Sequence, residues 1–279
     1  MRKFIPFLNK PPVVPVIRLA GSIGGGSRFS PALSDAALAP TIERAFRGKP
    51  AAVALIINSP GGSPVQSSLI AARIRRLADE KGIPVHAFVE DVAASGGYWL
   101  ACAADNIWVD NSSLLGSIGV IFASFGFPKL MEKYGVERRV HTSGTSKSLA
   151  DPFLPEKPGD VDRLLAIQEP IHAAFIAHVK SRRGARLSTT TDLFNADVWV
   201  GQGAVDVGLA DGVAHLVPKL KSLYGDKVAL RPMGQRKSFL SRFGLQSAAQ
   251  NFGQNLGQNL AAGALTAAED HATRARFGL

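Results

Sequence analysis

The chain has 279 residues, 46% hydrophobic and 19% charged, enough for one large α/β domain with appendages or for two small ones. Its single cysteine excludes an internal disulfide framework and points to a reducing compartment. The net charge of +10 is dispersed over short arginine clusters, and with no zinc-ligand spacing or aromatic RNA-binding signature no nucleic-acid partner is expected.

Residues 1–12 read as an N-terminal arm. Phe4-Ile5-Pro6-Phe7-Leu8 is too short for the apolar region of a signal peptide or for a membrane span, so a cytoplasmic chain is expected. Peripheral contact of one chain end with the inner membrane surface is the remaining membrane reading. Val13 to Leu19 reads as a first strand, with Pro15 marking an edge or a strand start, and a glycine-rich turn over Gly21–Ser27 follows. Asp35–Phe46 has a helical pattern that Pro40 must start or kink. Ala51–Ile57 is a continuous apolar run of strand length, as in a strand covered on both faces.

After the turn Asn58–Ser63, a helix is expected with Val65, Leu69, Ile70, Ile74 and Leu77 on its buried face. Ile83–Val89 is another buried strand and Ser95–Ala104 another helix, with Cys102 a small core residue. This succession predicts a largely parallel sheet with its loops at one edge. The uncharged stretch Asn111–Pro128 reads as a buried loop and strand, Pro128–Tyr134 as a short helix and Val136–Thr142 as a strand. A long helix from Asp160 to about Arg183, bent at Pro170, and an αβ stretch over Val205–Met233 complete a domain spanning 13–233. The tail 234–279 is basic and rich in Gln, Asn, Gly and Ala. It is read as flexible, or as a helix that docks on another subunit or a membrane.

Two glycine-rich turns carry the chemistry. Pro60-Gly61-Gly62 ends one buried strand, where bare backbone approaches a ligand or merely turns. Ala93-Ala94-Ser95-Gly96-Gly97-Tyr98 puts a serine where strand gives way to helix, as a helix cap or as a nucleophile facing the positive end of the helix dipole. Amides of Gly62 and Gly96 would then serve a developing oxyanion. A serine hydroxyl needs a base. None of the six histidines stands in a glycine-rich loop, although a triad assembled from distant residues stays open. The other candidate is Lys147, in Thr142-Ser143-Gly144-Thr145-Ser146-Lys147-Ser148. A lysine acts as base only where burial away from carboxylates frees its amine, and on spacing alone a surface-loop lysine is the better reading.

Five ordered motifs resemble those of the signal peptide peptidase A (SppA) family of serine-lysine peptidases. They are Asn58-Ser-Pro-Gly-Gly62, Ala93-Ala-Ser-Gly-Gly-Tyr98, Ala104-Asp105, Gly116-Ser-Ile-Gly-Val120, and Lys147 with Asp151-Pro152-Phe153. The resemblance covers about Val13 to Met233. It implies a ClpP/crotonase-like α/β fold with stacked, largely parallel β-sheet units. It also implies a metal-independent serine endopeptidase acting through an acyl-enzyme, with no cofactor. Ser95 would be the nucleophile, Lys147 the general base, Gly62 and Gly96 the oxyanion hole, and Ser117 a support for the lysine amine. Members of the family form rings in which one protomer's lysine completes its neighbour's serine site, so a homo-oligomer is expected. Peptides, signal-peptide-like or unfolded, would be cut after small or apolar residues. Many members carry an N-terminal transmembrane anchor that is not read here, so the chemistry carries over further than the substrate. The rival readings are a crotonase-like acyl-CoA enzyme, which needs no serine-lysine pair, and a catalytically inactive oligomeric scaffold.

Overall fold

The computed structural model describes residues 11–25, 33–144 and 147–234. Most of the expected N-terminal arm, part of the first glycine-rich turn and all but the start of the tail lie outside the described residues. The chain divides into two units, 1–118 with 178–279, and 119–177.

In the first unit, β1 (Val13–Ala20), β2 (Val53–Ser59) and β3 (Val85–Ala94) are the apolar runs read from the sequence. Their burial follows from parity: Val14, Val16, Ala54 and Phe88 lie on one face with Leu220, while Ile17, Leu19, Leu55 and Ile57, all buried, point to the other. Each such Leu or Ile contributes about 1.5–3 kcal/mol by leaving water. β4 (Asn106–Val109), β5 (Leu114–Gly116), β6 (Val198–Val200), β7 (Gly212–Val213) and β8 (Ala229–Met233) complete an eight-stranded sheet whose main path runs β6-β5-β3-β2-β1-β8. All pairings are parallel except β5 with β6. β1 is flanked on both sides, so Pro15 is not on an edge strand. It precedes the first β1–β2 pair, Val16 with Ala54, where its missing N–H is harmless.

α1 (Asp35–Ala45) keeps Pro40 inside, and Ser34 caps its start. α2 (Pro64–Lys81) begins as its sequence dictates, with Ser63 accepting from the Gln66 N–H and Pro64 in the first turn, and ends at Gly82 with φ 61°. Its buried face is Ser67, Ile70, Ala71, Ile74, Leu77 and Ala78, so the sequence reading is corrected at two positions. Val65 and Leu69 are 64% and 46% exposed, because the helix turns its Ser67 side towards α3 (Gly96–Ala101). α6 (Gly201–Asp206) and α7 (Leu216–Tyr224) fill the expected αβ stretch, with α7 covering the Val14–Phe88 face.

The arginines are less solvated than their clustering suggests. Arg73 holds Asp35 through two bonds of 2.6 and 2.7 Å, and Arg183, with its side chain only 2% exposed, pairs with Asp211 at 2.7 Å. Burial pushes the Asp211 carboxyl up, but the Arg183 bond, the Ile107 N–H and the nearby guanidinium charges outweigh it and hold it below the usual range.

The second unit contains α4 (Pro128–Lys133) and most of α5 (Pro158–Arg183). Two expectations fail here. The segment after Ile118 is not buried, with Ile121 and Phe125 exposed at 69% and 81%. Residues 136–142 form no strand, since no neighbouring strand supplies the hydrogen bonds an extended segment requires. Instead Phe127 stacks on Phe153 at 5.6 Å, and Arg138 lies over Phe153 while pairing with Asp151 at 2.8 Å. No helix among the described residues is long and apolar enough to cross a membrane.

Candidate active site

Ser95 stands between β3 and α3 with φ 51° and ψ −122°. This conformation costs a non-glycine residue on the order of 1–3 kcal/mol and persists only where the surroundings impose it. They do so here: the Ser95 N–H donates to the Gly116 carbonyl (2.8 Å), and its carbonyl accepts from the N–H groups of Tyr98 and Trp99. Ser95 is half-buried, and among the described residues its hydroxyl caps nothing. The cap reading therefore fails, and the sharp strand-to-helix turn presents a free hydroxyl.

The two glycine turns meet. A Cβ on Gly61 would lie 2.8 Å from the Ser95 Cβ and 3.0 Å from the Gly96 nitrogen, so only glycine permits this approach. Gly96, first residue of α3, has an amide without an intrahelical acceptor, and a Cβ there would lie 2.4 Å from the Ser67 Oγ. Gly62 is exposed, with φ 137°. Its neighbours make the bridge to Ile23: Ile23 N–H donates to the Gly61 carbonyl and Ser63 N–H to the Ile23 carbonyl, both 2.8 Å. By the alternation of such a ladder, the Gly62 amide is turned away from Ile23. Ser117, φ 51°, follows the Gly116 that binds Ser95 and is pinned by its own N–H to the Asp197 carbonyl at 2.7 Å. Thus Gly62, Ser95, Gly96 and Ser117 all belong to the first unit.

Lys147 belongs to the second unit. It is exposed, in a turn where its N–H reaches the Gly144 carbonyl (3.3 Å), and among the described residues its side chain makes no hydrogen bond or ion pair. A cleft of about 520 Å³ lies within the same unit, lined by the adjoining Ser148 and by Phe122, Phe125, Leu154 and Leu164.

Three of the six histidines are committed elsewhere. His86 bonds the Tyr224 hydroxyl at 2.8 Å, His178 stacks on Trp99 and bonds its carbonyl at 3.1 Å, and His215 pairs with Asp110 at 2.8 Å. None of the described histidines bonds Ser95. Burial pushes the Cys102 thiol up to about 12, so it is an inert core group. Sequence reasoning gave no role to Ser67, which lies against Gly96, or to Asn58 and the Asp91 it bonds. Asn58 was legible as the first residue of a recognised motif, whereas Ser67 and Asp91 carry no such signal.

The profile of peptidase family S49 matches residues 78–223, just over half of the chain. The chain belongs to peptidase family S49. Its mixed α/β architecture with a mostly parallel sheet is the ClpP-like fold of that family. This S49 chain is 49% identical over 272 residues to a Brucella melitensis protein named Na(+)/H(+) antiporter NhaA, a match covering 95% of this chain and 37% of that protein. It is 32% identical over 181 residues to a putative signal peptide peptidase SppA of Enterococcus faecium, covering 63% of this chain and 51% of the other. The chain therefore spans between about a third and a half of these relatives. Among solved structures, it resembles in fold a lysine-to-alanine variant of the 1510-N membrane-bound stomatin-specific protease in complex with a substrate peptide. The TM-score is 0.51 at 16% identity, over 84% of this chain and 96% of that one.

Proposed function

We propose that this S49 chain is a serine endopeptidase in which Ser95 is the nucleophile and Lys147 the general base. The observation that carries the reading is the strained Ser95 turn, whose Cβ and backbone pack against Gly61 and whose hydroxyl makes no cap bond. In the proposed reaction the Lys147 amine takes the Ser95 hydroxyl proton as Oγ bonds the scissile carbonyl carbon. The resulting oxyanion accepts hydrogen bonds from the Gly62 and Gly96 amides, each worth on the order of 10²–10³ in rate. As the C–N bond breaks, the lysine ammonium returns the proton to the leaving amine. Water then attacks the acyl-enzyme carbonyl, giving a proton to the Lys147 amine, which passes it to Ser95 Oγ as the ester C–O bond breaks and the acid product leaves. Ser117 is the proposed support for that amine.

An exposed lysine is a poor general base. Its exposure, and the exposed apolar side chains of the same unit, favour an oligomer in which Lys147 is buried and completes a neighbouring subunit's serine site. Peptides with small or apolar residues before the cut are the proposed substrates. A fluorophosphonate tests the reading: it should label Ser95, fail with Ser95→Ala and react far more slowly with Lys147→Ala. Coenzyme-A-dependent turnover that survives Ser95→Ala would instead establish the acyl-CoA rival, and an intact oligomer with neither reactivity would establish a scaffold.

A further inference from the structure

Asn58 heads the Asn58-Ser-Pro-Gly-Gly62 motif yet has no part in the chemistry above. β2 and β3 pair as far as Ile57 with Val89, then resume at Ser59 with Ala93. One residue of β2, Asn58, therefore faces three of β3: Glu90, Asp91 and Val92. A bulge of this kind bends its strand and re-aims the side chains beyond it. Here it also changes the outer partner of β3, because His86–Phe88 pair with β4 whereas Val92–Ala94 pair with β5. The residue reached at the end of the re-aimed half is Ser95.

Three side chains clamp the bulge. Arg18 reaches both Glu90 carboxylate oxygens at 2.7 and 2.5 Å, but that pair is 55% and 36% exposed and contributes little. Ser113 donates its hydroxyl to the Glu90 carbonyl at 2.6 Å. Asn58, only 9% exposed, donates its amide to the Asp91 carboxylate at 2.5 Å. Asn58 alone among the three also belongs to the glycine turn. Its carbonyl accepts from the Gly21 N–H (3.0 Å), and the next hydroxyl, that of Ser59, donates to the Gly21 carbonyl (2.7 Å) and accepts from the Gly61 N–H (3.2 Å).

We propose that Asn58 is a positioning residue: its bond to Asp91 fixes the β3 bulge and so sets where Ser95 stands relative to the Gly61-Gly62 turn. The kinetic consequence rests on the peptidase reading, while the coupling of the two turns does not. Asn58→Asp sets two carboxylates against each other with little change of shape. Combining it with Asp91→Asn restores an amide–carboxylate pair with the roles exchanged. Each protein is assayed for the limiting rate and half-saturation of fluorophosphonate labelling, and for amide hydrogen exchange over residues 59–63 and 94–98.

Asn58→Asp should lower the limiting rate roughly 10²-fold, the effect of misplacing a reacting group by about 1 Å, with half-saturation unchanged. Exchange should quicken in both segments together, and the exchanged pair should recover rate and protection. Asp91→Asn alone, which keeps a neutral bond, should show the same pattern at smaller amplitude and covers the case in which Asn58→Asp does not fold. Val14→Ala, in the core beneath α7, should lower the unfolding temperature without changing the rate. A wild-type rate in Asn58→Asp, a swap that restores thermal stability but not rate, or an equal loss in Val14→Ala overturns the proposal. If the wild-type chain is not labelled at Ser95, the peptidase reading fails. The exchange data still decide the coupling, and unchanged protection over 94–98 in Asn58→Asp overturns it.

Discussion

Gly61→Ala tests whether the contact between the two glycine turns builds the site. Gly61 has φ +112°, and an added Cβ would meet the Ser95 Cβ at 2.8 Å, the Ala94 carbonyl oxygen at 3.0 Å and the Gly96 nitrogen at 3.0 Å. Two of these neighbours are backbone, so the turn itself must move. The backbone conformation costs on the order of 1–3 kcal/mol for alanine, and overpacking adds about 1–3 kcal/mol. Gly48→Ala separates the two contributions, since Gly48 also has positive φ, +75°, but nothing lies within 4 Å of the new methyl group. At roughly 2–4 °C per kcal/mol, Gly61→Ala should unfold well below Gly48→Ala in a thermal melt. Its fluorophosphonate labelling at Ser95 should fall by on the order of 10²-fold or more below the unfolding transition, as expected when an oxyanion donor is displaced. Gly48→Ala should label at the wild-type rate. Equal melting temperatures, or wild-type labelling of Gly61→Ala, would refute the reasoning.

Three further outcomes are expected. Arg183→Met should destabilise the fold by on the order of 1–3 kcal/mol, because the largely buried Asp211 carboxylate loses its buried guanidinium partner while keeping Arg186 at 3.0 Å and the Ile107 N–H, and a melt within a degree of wild type would contradict this. Burial holds both His86 and His178 below the ordinary histidine value, so the unfolded chain binds protons more readily. Their contribution is complete above the unfolded pKa of about 6.5 and is lost as pH falls below it. Melting temperature should therefore drop between about pH 7 and 5, and less steeply in His86→Gln and His178→Gln. The Cys102 thiol, pushed up to about 12 by burial, should react with a maleimide only as fast as the chain opens, so prompt modification of the native protein would show that the α3 core is wrong.

Much of the fold was written in apolar runs and caps. β1, β2 and β3 appear as uninterrupted apolar stretches, and Ser63-Pro64 and Gly82 bracket α2. What escaped was decided by partners that a local pattern does not contain. Val65 and Leu69 continue the apolar spacing of α2 but lie outside its packed face, and Val136 to Thr142 have strand-forming residues with no strand beside them. Arg183 reads as one of a basic pair at a helix end, and only the fold brings Asp211 to it. At the candidate site, Ser95 and the glycines were legible because tight backbone approaches leave glycine as their trace. The bulge opposite Asn58 was not, since extra residues in β3 look the same in sequence as a longer strand. Lys147 was singled out by resemblance alone, and it lies exposed in a turn, where no local pattern distinguishes it from any other surface lysine.

The most direct measurement is complementation between two inactive variants. Ser95→Ala and Lys147→Ala are purified separately, shown to assemble as wild type does, then mixed under conditions that exchange subunits, and peptide hydrolysis is followed. Neither variant should cleave alone, and the mixture should recover a substantial fraction of wild-type activity, because an intact Ser95 on one subunit meets an intact Lys147 on another. A mixture that exchanges subunits yet stays inactive would contradict a serine site completed in trans, and activity in Lys147→Ala alone would remove the lysine from the mechanism.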